Sequence, residues 1–310
     1  MTGDSSSAPI FDADGALTRE FLLARGHCCE SGCRNCPYGF RKDDGHSLRL
    51  VSLCPSNTEI VDALGLGKHL VGVDDWSDWP ERLVADLPRL GPDLDIDLDA
   101  VETLVPDLVL ASLSVPGMER NVEGLERRGI PHLVLDPHSL EDIYQDLKRV
   151  GRAAGCEEHA RQVESHLRDR VAAVQAAVRG DESRPRLYWE WWPKPLFCPG
   201  RRNWLTEISE LAGAVNVTAH YPDDAARPEP EEILELQPDF VLLVWTGVQK
   251  EKVRPDVVSR RPGWGELTAL REGRLHVLAE GLYCRPSPRL IEGLEELARL
   301  VHPECFRRLT

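Results

Sequence analysis

The 310-residue sequence predicts an α/β protein of two Rossmann-like lobes with parallel sheets, joined by one long helix and preceded by a short cysteine-rich segment. Three observations predict this architecture. Short apolar runs alternate with helical patterns, the same order of patterns recurs in the second half, and a proline-free polar stretch of helical spacing separates the halves. We place a leader at 1–18, the cysteine-rich segment at 19–46, the lobes at 47–138 and 181–310, and the linking helix at 139–180.

The first lobe shows four predicted strands with predicted helices between them. Pro55-Ser-Asn-Thr58 stands before the first helix, where the serine and asparagine side chains can cap it. Alternation of this kind is typical of a parallel sheet covered by helices. The predicted strands are 49–53, 69–73, 107–112 and 132–135, and the predicted helices are 59–65, 97–105 and 121–128.

Short motifs of the first lobe recur in the second, which predicts a duplicated lobe. The alternative is that a Pro-Asp turn from helix to strand is common to many α/β units. The matching segments are Thr58-Glu-Ile60 with Thr206-Glu-Ile208, Leu104-Val-Pro-Asp-Leu-Val-Leu110 with Leu236-Gln-Pro-Asp-Phe-Val-Leu242, and His132-Leu-Val-Leu135 with His276-Val-Leu278.

The connector at 139–180 has apolar residues mostly three or four positions apart, which is helical spacing. It contains Gly151 and Gly155 but no proline, so it forms either one helix of about 40 residues or two abutting helices. A continuous helix would be roughly 60 Å long, enough to lie along both lobes. The alternative is an ordinary surface helix that belongs to one lobe.

Charge and apolar runs exclude several classes of partner. The 37 Lys and Arg residues against 52 Asp and Glu residues give a net charge of −15, which argues against nucleic acid as a partner. The apolar run at 240–245 is too short to cross a bilayer, so we expect no transmembrane segment. The first 20 residues lack the pattern of a signal peptide. We therefore expect a cytoplasmic protein, or an extracytoplasmic one if the start codon has been misassigned.

Aromatic residues concentrate just past the predicted strands, although only 6% of the chain is aromatic. Strand ends of this kind line ligand sites in parallel α/β folds, and flat rings with polar atoms can hold a large planar ligand. Core packing is the alternative for each ring alone. The residues are Trp76, Trp79, Trp191, Trp192, Trp245 and Tyr283.

The sequence contains no recognisable catalytic set, so we predict a protein that is not an enzyme. Gly-x-Ser-x-Gly, the Gly-x4-Gly-Lys phosphate loop and His-Glu-x-x-His are all absent from the sequence. His132 and His276 lie in apolar strands, which favours a place in the core. His220, in a predicted loop, is a candidate for contacting the metal of a bound chelate.

Several motifs resemble the cobalamin-binding branch of the helical-backbone (class III) substrate-binding proteins of ABC transporters. In the first lobe these are Ser52-Leu-Cys-Pro-Ser-Asn-Thr-Glu-Ile60, Leu64-Gly-Leu-Gly67, Val71-Gly-Val73 and Trp76-Ser-Asp-Trp-Pro80. In the second lobe they are Glu190-Trp191, Gly200, Trp204, Glu207, Leu211-Ala-Gly213, Pro238-Asp239 and Arg261-Pro-Gly-Trp264.

The resemblance implies a corrinoid such as cobalamin held between the lobes and an ABC permease as partner. It implies that Pro55, Ser56, Asn57 and Trp76 contact the ligand from the first lobe and Trp191, Trp204 and Trp245 from the second, with Tyr283 added from the strand-end aromatics. Asp93 or Asp95 and Asp223 or Asp224 are candidate acids for docking the permease, with solvated loop charge as the alternative. Trp245-Thr-Gly247 departs from the Cys-Gly of many relatives.

Two other functions remain open. One is a binding protein for haem or an iron–siderophore, which should carry charge complementary to that ligand. The other is a redox enzyme linked to a corrinoid or an iron–sulfur centre, in which the cysteine-rich segment acts on the ligand.

The cysteine-rich segment resembles a small uncharacterised cysteine-motif domain. Cys28, Cys29, Cys33 and Cys36 supply four thiolates at a spacing that suits zinc or an iron–sulfur centre. Because adjacent cysteines rarely both ligate without strain, a three-cysteine site completed by His27 is also open. A redox-active thiol cluster is the alternative.

Overall fold

The computed structural model describes residues 47–180 and 183–307, together with Thr18 and Leu22. The rest of the predicted leader and cysteine-rich segment lies outside the described residues, and so do its candidate metal ligands Cys28, Cys29, Cys33 and Cys36.

The first lobe is built on a four-stranded, fully parallel sheet of strand order β2-β1-β3-β4. Helices cover the sheet, and every residue of its central strand β1 is buried, as expected for a parallel sheet covered on both faces. The strands are β1 (Leu50–Ser52), β2 (Leu70–Val73), β3 (Leu108–Ser112) and β4 (His132–Leu135). The helices are α1 (Pro55–Ala63), α2 (Glu81–Val84), α3 (Leu98–Thr103) and α4 (Glu119–Arg128).

Helix α1 begins without the side-chain cap that the sequence predicts. Cys54 is its N-cap residue, and no side chain there accepts a hydrogen bond from the first turn. Pro55 takes the first helical position instead, where its missing N–H costs nothing. Helix α3, in contrast, is capped by Asp97, which accepts hydrogen bonds from the backbone N–H groups of Asp99 and Ala100 at 3.0 Å.

The connector forms two helices, α5 (Leu140–Ala153) and α6 (Glu157–Val178), rather than one long helix. Gly155 stands between them with φ +73°, a left-handed conformation that ends α5. The two helices run antiparallel, because Lys148 pairs with Glu164 and Arg168 pairs with Glu141. Helix α6, about 33 Å long, then crosses to the second lobe, where Arg170 Nε lies 2.8 Å from Glu295 Oε1.

The second lobe repeats the topology of the first. Its four-stranded parallel sheet has the order β8-β5-β10-β11, in which the second strand pairs with the first, the first with the third and the third with the fourth, as in the other lobe. The strands are β5 (Arg186–Glu190), β8 (Val215–Asn216), β10 (Phe240–Leu243) and β11 (Leu275–Val277). The two sheets therefore agree with the predicted duplication.

The second lobe also contains a small antiparallel sheet that the shared motifs do not predict. It consists of β6 (Trp192–Pro193), β7 (Leu196–Pro199) and β9 (Ala225–Ala226). The helices are α7 (Trp204–Leu211), α8 (Pro230–Leu236), α9 (Pro255–Ser259), α10 (Thr268–Arg271), α11 (Glu280–Tyr283), α12 (Leu290–Val301) and α13 (Pro303–Phe306).

One apolar core extends through both lobes and the connector. It joins Leu50 of the first sheet, Val150 of α5, Leu187 of the second sheet and Leu294 of α12. Shared burial of this kind keeps the lobes in contact along the connector. Within the part of the chain that the structure describes, no helix is both long and apolar enough to span a bilayer.

Candidate functional site

The carboxyl ends of both sheets meet between the lobes, because the loop after β2 contacts the segment after α11. We call this region the inter-lobe edge, defined as residues 53–57, 74–80, 190–193, 244–247 and 279–289. Each sheet changes the direction of its strand order between its first and third strands, and ligands of open parallel sheets bind outside the strand ends at such a point.

Trp76 presents an open indole face at this edge. Its side chain is 57% exposed, in the loop 74–80 that follows β2. The Trp76 backbone N–H donates to Asp74 Oδ2 at 2.8 Å. The structure thus places the predicted ligand residue Trp76 on the surface and fixes its backbone to the first lobe.

A buried acid anchors the base of loop 74–80. Asp74 is fully buried and accepts a 2.5 Å hydrogen bond from Ser77 Oγ. Burial raises the pKa of Asp74 to about 6, against the opposing effect of the hydrogen bonds from Ser77 and Trp76. Arg89 donates to the backbone carbonyls of Asp74 and Ser77 at 3.0 and 2.6 Å, so the first half of the loop is firmly tied to the first lobe.

The predicted residues Pro55, Ser56 and Asn57 form the buried first turn of α1. Asn57 Nδ2 donates to the carbonyls of Leu110 and Ala111, both at 3.1 Å, so this amide joins α1 to the end of β3. Ser56 Oγ lies 3.4 Å from Cys54 Sγ. These buried side chains therefore support the inter-lobe edge from inside the first lobe.

The four predicted aromatic residues of the second lobe are all less than one-tenth exposed. Trp191 and Trp204 contact each other with ring centroids 6.5 Å apart. Trp204 Nε1 donates to the Tyr283 carbonyl at 2.8 Å, and the Tyr283 hydroxyl donates to the Gly293 carbonyl. The Trp191 indole N–H is buried without a hydrogen-bond partner. These rings therefore lie in the buried core behind the inter-lobe edge and not on its exposed surface.

Trp192 is the exposed indole of the second lobe, at 43% exposure, and its ring centroid lies 6.4 Å from that of Trp245. Trp192 is one of the strand-end aromatic residues predicted from the sequence, but it is not one of the predicted ligand residues. Alternation could have found it, because successive residues of an extended chain point to opposite sides, so the burial of Trp191 turns Trp192 outward.

Trp245 is held by a buried ion pair. Its Nε1 donates to Glu190 Oε1 at 3.1 Å, and Glu190 is fully buried. Arg261 binds both oxygens of this carboxylate, at 2.6 and 3.0 Å, and its guanidinium lies 4.5 Å from the centre of the Trp264 ring. A bidentate pair of this kind has a defined geometry, so the Trp245 ring has a defined position.

A second charged cluster links the two lobes directly. Glu59 of α1 is almost fully buried and accepts hydrogen bonds from Arg285, Ser287 and Arg289 of the second lobe. Burial raises the pKa of Glu59, while these donors oppose the rise. This cluster is not predicted from the sequence, although Arg285 directly follows the strand-end segment that supplies Tyr283.

A groove of about 460 Å³ lies next to this cluster, between α1, α6 and α12. Trp79, His159, His166 and Arg289 are among its lining residues, whereas none of the predicted ligand residues lines it. Trp79, which is 43% exposed, and Arg289 belong to both the inter-lobe edge and this groove. We place the candidate site at the part of the edge where Trp76 and Trp192 are exposed, because no predicted ligand residue lines the groove.

The remaining candidate residues have partners of their own. His220 lies 3.0 Å from Glu232 and 3.1 Å from the Val217 carbonyl. Asp95 pairs with Arg120, and Asp223 and Asp224 both pair with Arg202. Among the described residues, His, Cys, Asp and Glu side chains form no cluster that could hold a metal ion.

Comparison with known proteins shows the family. The model of the family described as "Periplasmic binding protein" matches residues 50–281. A second model, described as a family of unknown function (DUF5522), matches residues 15–42, which overlap the predicted cysteine-rich segment.

Three individual proteins illustrate the similarity. The uncharacterized ABC transporter substrate-binding lipoprotein YvrC of Bacillus subtilis is 30% identical over 264 residues, which cover 84% of this chain and 81% of YvrC. The vitamin B12-binding protein of Photorhabdus laumondii is 28% identical over 252 residues, 81% of this chain and 87% of the relative. The crystal structure of a periplasmic heme binding protein from Pseudomonas aeruginosa superposes with a TM-score of 0.71 at 27% identity, over 82% of this chain and 92% of that one.

This family comprises substrate-binding proteins rather than enzymes, which agrees with the absence of a catalytic set from the sequence. The architecture is that of the family: two lobes with parallel sheets of the same strand order, joined by a helical connector. The chain belongs to the periplasmic binding protein family of ABC transporter substrate-binding proteins.

Proposed function

We propose that this protein binds cobalamin or a related corrinoid between its two lobes. Two exposed indoles, Trp76 on the first lobe and Trp192 on the second, support this proposal because a flat macrocycle can lie against such rings. The motifs shared with the cobalamin-binding branch support it as well, and so does the name of the vitamin B12-binding relative.

The charge of the inter-lobe edge is the observation that carries the choice of ligand. Carboxylates at or beside the edge (Glu59, Asp74, Asp75, Asp78, Asp93, Glu190 and Glu280) outnumber the guanidiniums of Arg89, Arg261, Arg285 and Arg289, the last three of which already bind a carboxylate. A corrinoid surrounded by carboxamides suits such a surface. The two free propionates of haem do not, because like charges brought together cost free energy.

Haem or an iron–siderophore is the second candidate ligand, and the similarity to the heme binding protein of Pseudomonas aeruginosa favours it. Haem iron needs an axial ligand from the protein. The tyrosines nearest the edge, Tyr188 and Tyr283, are fully buried, and their hydroxyls bind Glu190 and the Gly293 carbonyl. Neither tyrosine hydroxyl is therefore free to bind an iron atom between the lobes, so an axial ligand would have to come from another residue type.

An ABC permease is the proposed protein partner. The acids Asp223 or Asp224 on the second lobe and Asp93 or Asp95 on the first are the proposed docking residues. The names of the relatives, a lipoprotein and a periplasmic protein, favour a location outside the cytoplasm. The cytoplasmic location expected from the sequence gains no support from them. We therefore propose an extracytoplasmic location.

The cysteine-rich segment is proposed to bind zinc or an iron–sulfur centre through Cys28, Cys29, Cys33 and Cys36. The support is the chemistry of the donor set, since four thiolates within nine residues can surround one tetrahedral metal.

Titration of the purified chain with cyanocobalamin, haemin and a ferric hydroxamate tests the ligand. We expect saturable binding of cyanocobalamin at one site, followed by tryptophan fluorescence and visible absorption, with much weaker binding of the other two. Tight binding of haemin with a shifted Soret band, and none of cyanocobalamin, would reverse the order of the two candidates.

A further inference from the structure

We infer that Arg285 is a positioning residue that clamps the second half of loop 74–80 to the second lobe and thereby sets where Trp76 stands in the site. The inference rests on the proposed function, since it concerns the same site. It assigns to Arg285 and Asp78 a role that acts through Trp76.

Arg285 joins carboxylates from both lobes. Its Nη1 and Nη2 lie 2.6 and 3.2 Å from Oδ1 and Oδ2 of Asp78, a bidentate contact to the loop of the first lobe. The same guanidinium donates to Glu59 of the first lobe at 3.1 Å and to Glu280 of its own lobe at 3.2 Å. Only 11% of the Arg285 side chain is exposed, so these contacts hold it in place.

A second contact holds the same half of the loop. The Arg289 guanidinium lies 4.2 Å from the centre of the Trp79 ring, a cation–π contact, and Arg289 Nη1 donates to Glu59 at 3.1 Å. Ser287, between the two arginines in sequence, also donates to Glu59. The segment 285–289 therefore contacts both Asp78 and Trp79 and also binds the buried carboxylate of Glu59 in α1.

The two halves of the loop are attached to different lobes. Asp74 and Ser77 belong to the hydrogen-bond network of the first lobe, which also includes Arg89. Asp78 and Trp79 bind the second lobe. Trp76 lies between Asp74 and Ser77, so its ring is carried by the first lobe. Asp78 follows two positions later, and its contact with Arg285 sets how far this part of the first lobe, with Trp76, stands from the second-lobe indoles.

The exposure of the partners decides which variant tests the clamp cleanly. The Asp78 side chain is 69% exposed, whereas Glu59 is fully buried, so removing the charge of Asp78 leaves the buried part of the cluster paired. Asp78→Asn should therefore release the loop without unfolding the protein, and it leaves Arg285 itself intact in case the guanidinium also touches the ligand.

The experiment compares Asp78→Asn, Arg285→Gln, Arg285→Lys and the Asp78→Asn/Arg285→Gln double variant by cyanocobalamin titration and by amide hydrogen exchange of residues 75–79. We expect each of the first two to weaken binding about 10-fold, since a loop that is no longer tied to the second lobe must be ordered against it when the ligand binds, and to speed exchange in the loop. The double variant should bind no more weakly than Arg285→Gln, and Arg285→Lys should recover part of the affinity. Arg254→Gln, which removes an exposed ion pair with Asp256 in the same lobe, is the control and should change neither readout.

Each other outcome has one meaning. If Asp78→Asn binds cyanocobalamin as the wild type does and its loop exchanges at the same rate, the clamp is refuted while the proposed function stands. If the wild type does not bind cyanocobalamin, the proposed function fails, and the exchange rates of the loop in Asp78→Asn alone then support or refute the clamp.

Discussion

The guanidinium of Arg261 binds both carboxylate oxygens of Glu190, and the same carboxylate accepts the indole N–H of Trp245. This pair joins a strand end of the second sheet to the segment before Trp264, across 71 positions of the sequence. Glu190 is fully buried and the Arg261 side chain is 11% exposed, so each charge depends on the other for its solvation.

Removing the Glu190 charge should destabilise the second lobe. We expect Glu190→Gln to lower the free energy of unfolding by about 3 kcal/mol, because it leaves the Arg261 guanidinium buried without a counter-charge. Urea unfolding followed by far-UV circular dichroism measures the change. Arg120→Gln, which removes an ion pair exposed on both sides, is the control and should cost less than about 1 kcal/mol. Equal stabilities of Glu190→Gln and Arg120→Gln would show that the buried pair contributes nothing.

Substitution of the exposed tryptophans should weaken ligand binding, whereas substitution of a buried tryptophan should lower the free energy of unfolding. Trp76→Ala and Trp192→Ala should each weaken cyanocobalamin binding about 30-fold, as loss of a central aromatic contact typically does, with little change in the melting temperature. Trp189→Ala should instead lower the free energy of unfolding by about 3–5 kcal/mol, because Trp189 is fully buried and its indole donates to Ser209. Undiminished binding by both exposed-site variants would contradict a ligand held between these two indoles.

Asp74 should make the free energy of unfolding depend on pH. Its pKa is raised by burial to about 6 in the folded protein, above the value near 4 that is ordinary for an aspartate. Between those values the folded state binds more protons than the unfolded state, so Asp74 lowers the free energy of unfolding as pH rises through this window. The change amounts to about 2–3 kcal/mol at most.

Asp74→Asn removes that contribution. The difference in the free energy of unfolding between Asp74→Asn and the wild type should therefore shift in favour of the variant as pH rises from about 4 to 7. Urea titrations at intervals across this range measure the difference. A flat difference between Asp74→Asn and the wild type across this range would contradict the proposed titration.

The close packing of α5 against α6 in the connector can be tested by adding one methyl group at Gly151. A Cβ atom added at Gly151 of α5 would lie 2.4 Å from Cβ of Ala160 in α6. Gly151→Ala should therefore lower the free energy of unfolding by about 1–3 kcal/mol through overpacking. At Gly265 an added Cβ meets no atom within 4 Å, so Gly265→Ala is the control and should be nearly neutral. A stabilising effect of Gly151→Ala would be inconsistent with the close packing of α5 on α6.

Metal analysis of the full chain tests the cysteine-rich segment. We expect about one equivalent of zinc, or an iron–sulfur absorption band under anaerobic purification, that is lost in Cys33→Ser. Cys305→Ser, which changes a cysteine near the end of the described chain, is the control and should keep the metal. A metal-free wild-type chain from both preparations would favour the thiol-cluster alternative.

Local patterns were sufficient to predict the lobes. The strands at 50–52, 70–73, 108–112 and 132–135 fall on the predicted apolar runs, and the matched Pro-Asp motifs precede equivalent strands of the two sheets. Periodicity and turn residues carry this information because they depend on neighbours in sequence. Whether the connector forms one helix or two could not be predicted from these local patterns, because a glycine at position 155 is compatible with both.

The site depended on contacts that spacing does not show. Sequence position put Trp191 and Trp192 side by side, and only the packing of the second lobe made one of them a core residue and the other an exposed surface. Arg285 and Asp78 are 207 positions apart, and Glu59 and Ser287 are 228 apart. Local periodicity could predict each lobe, but the charged contacts between the lobes exist only once both have folded and packed together, because ion pairs form between groups that are close in space whatever their separation along the chain.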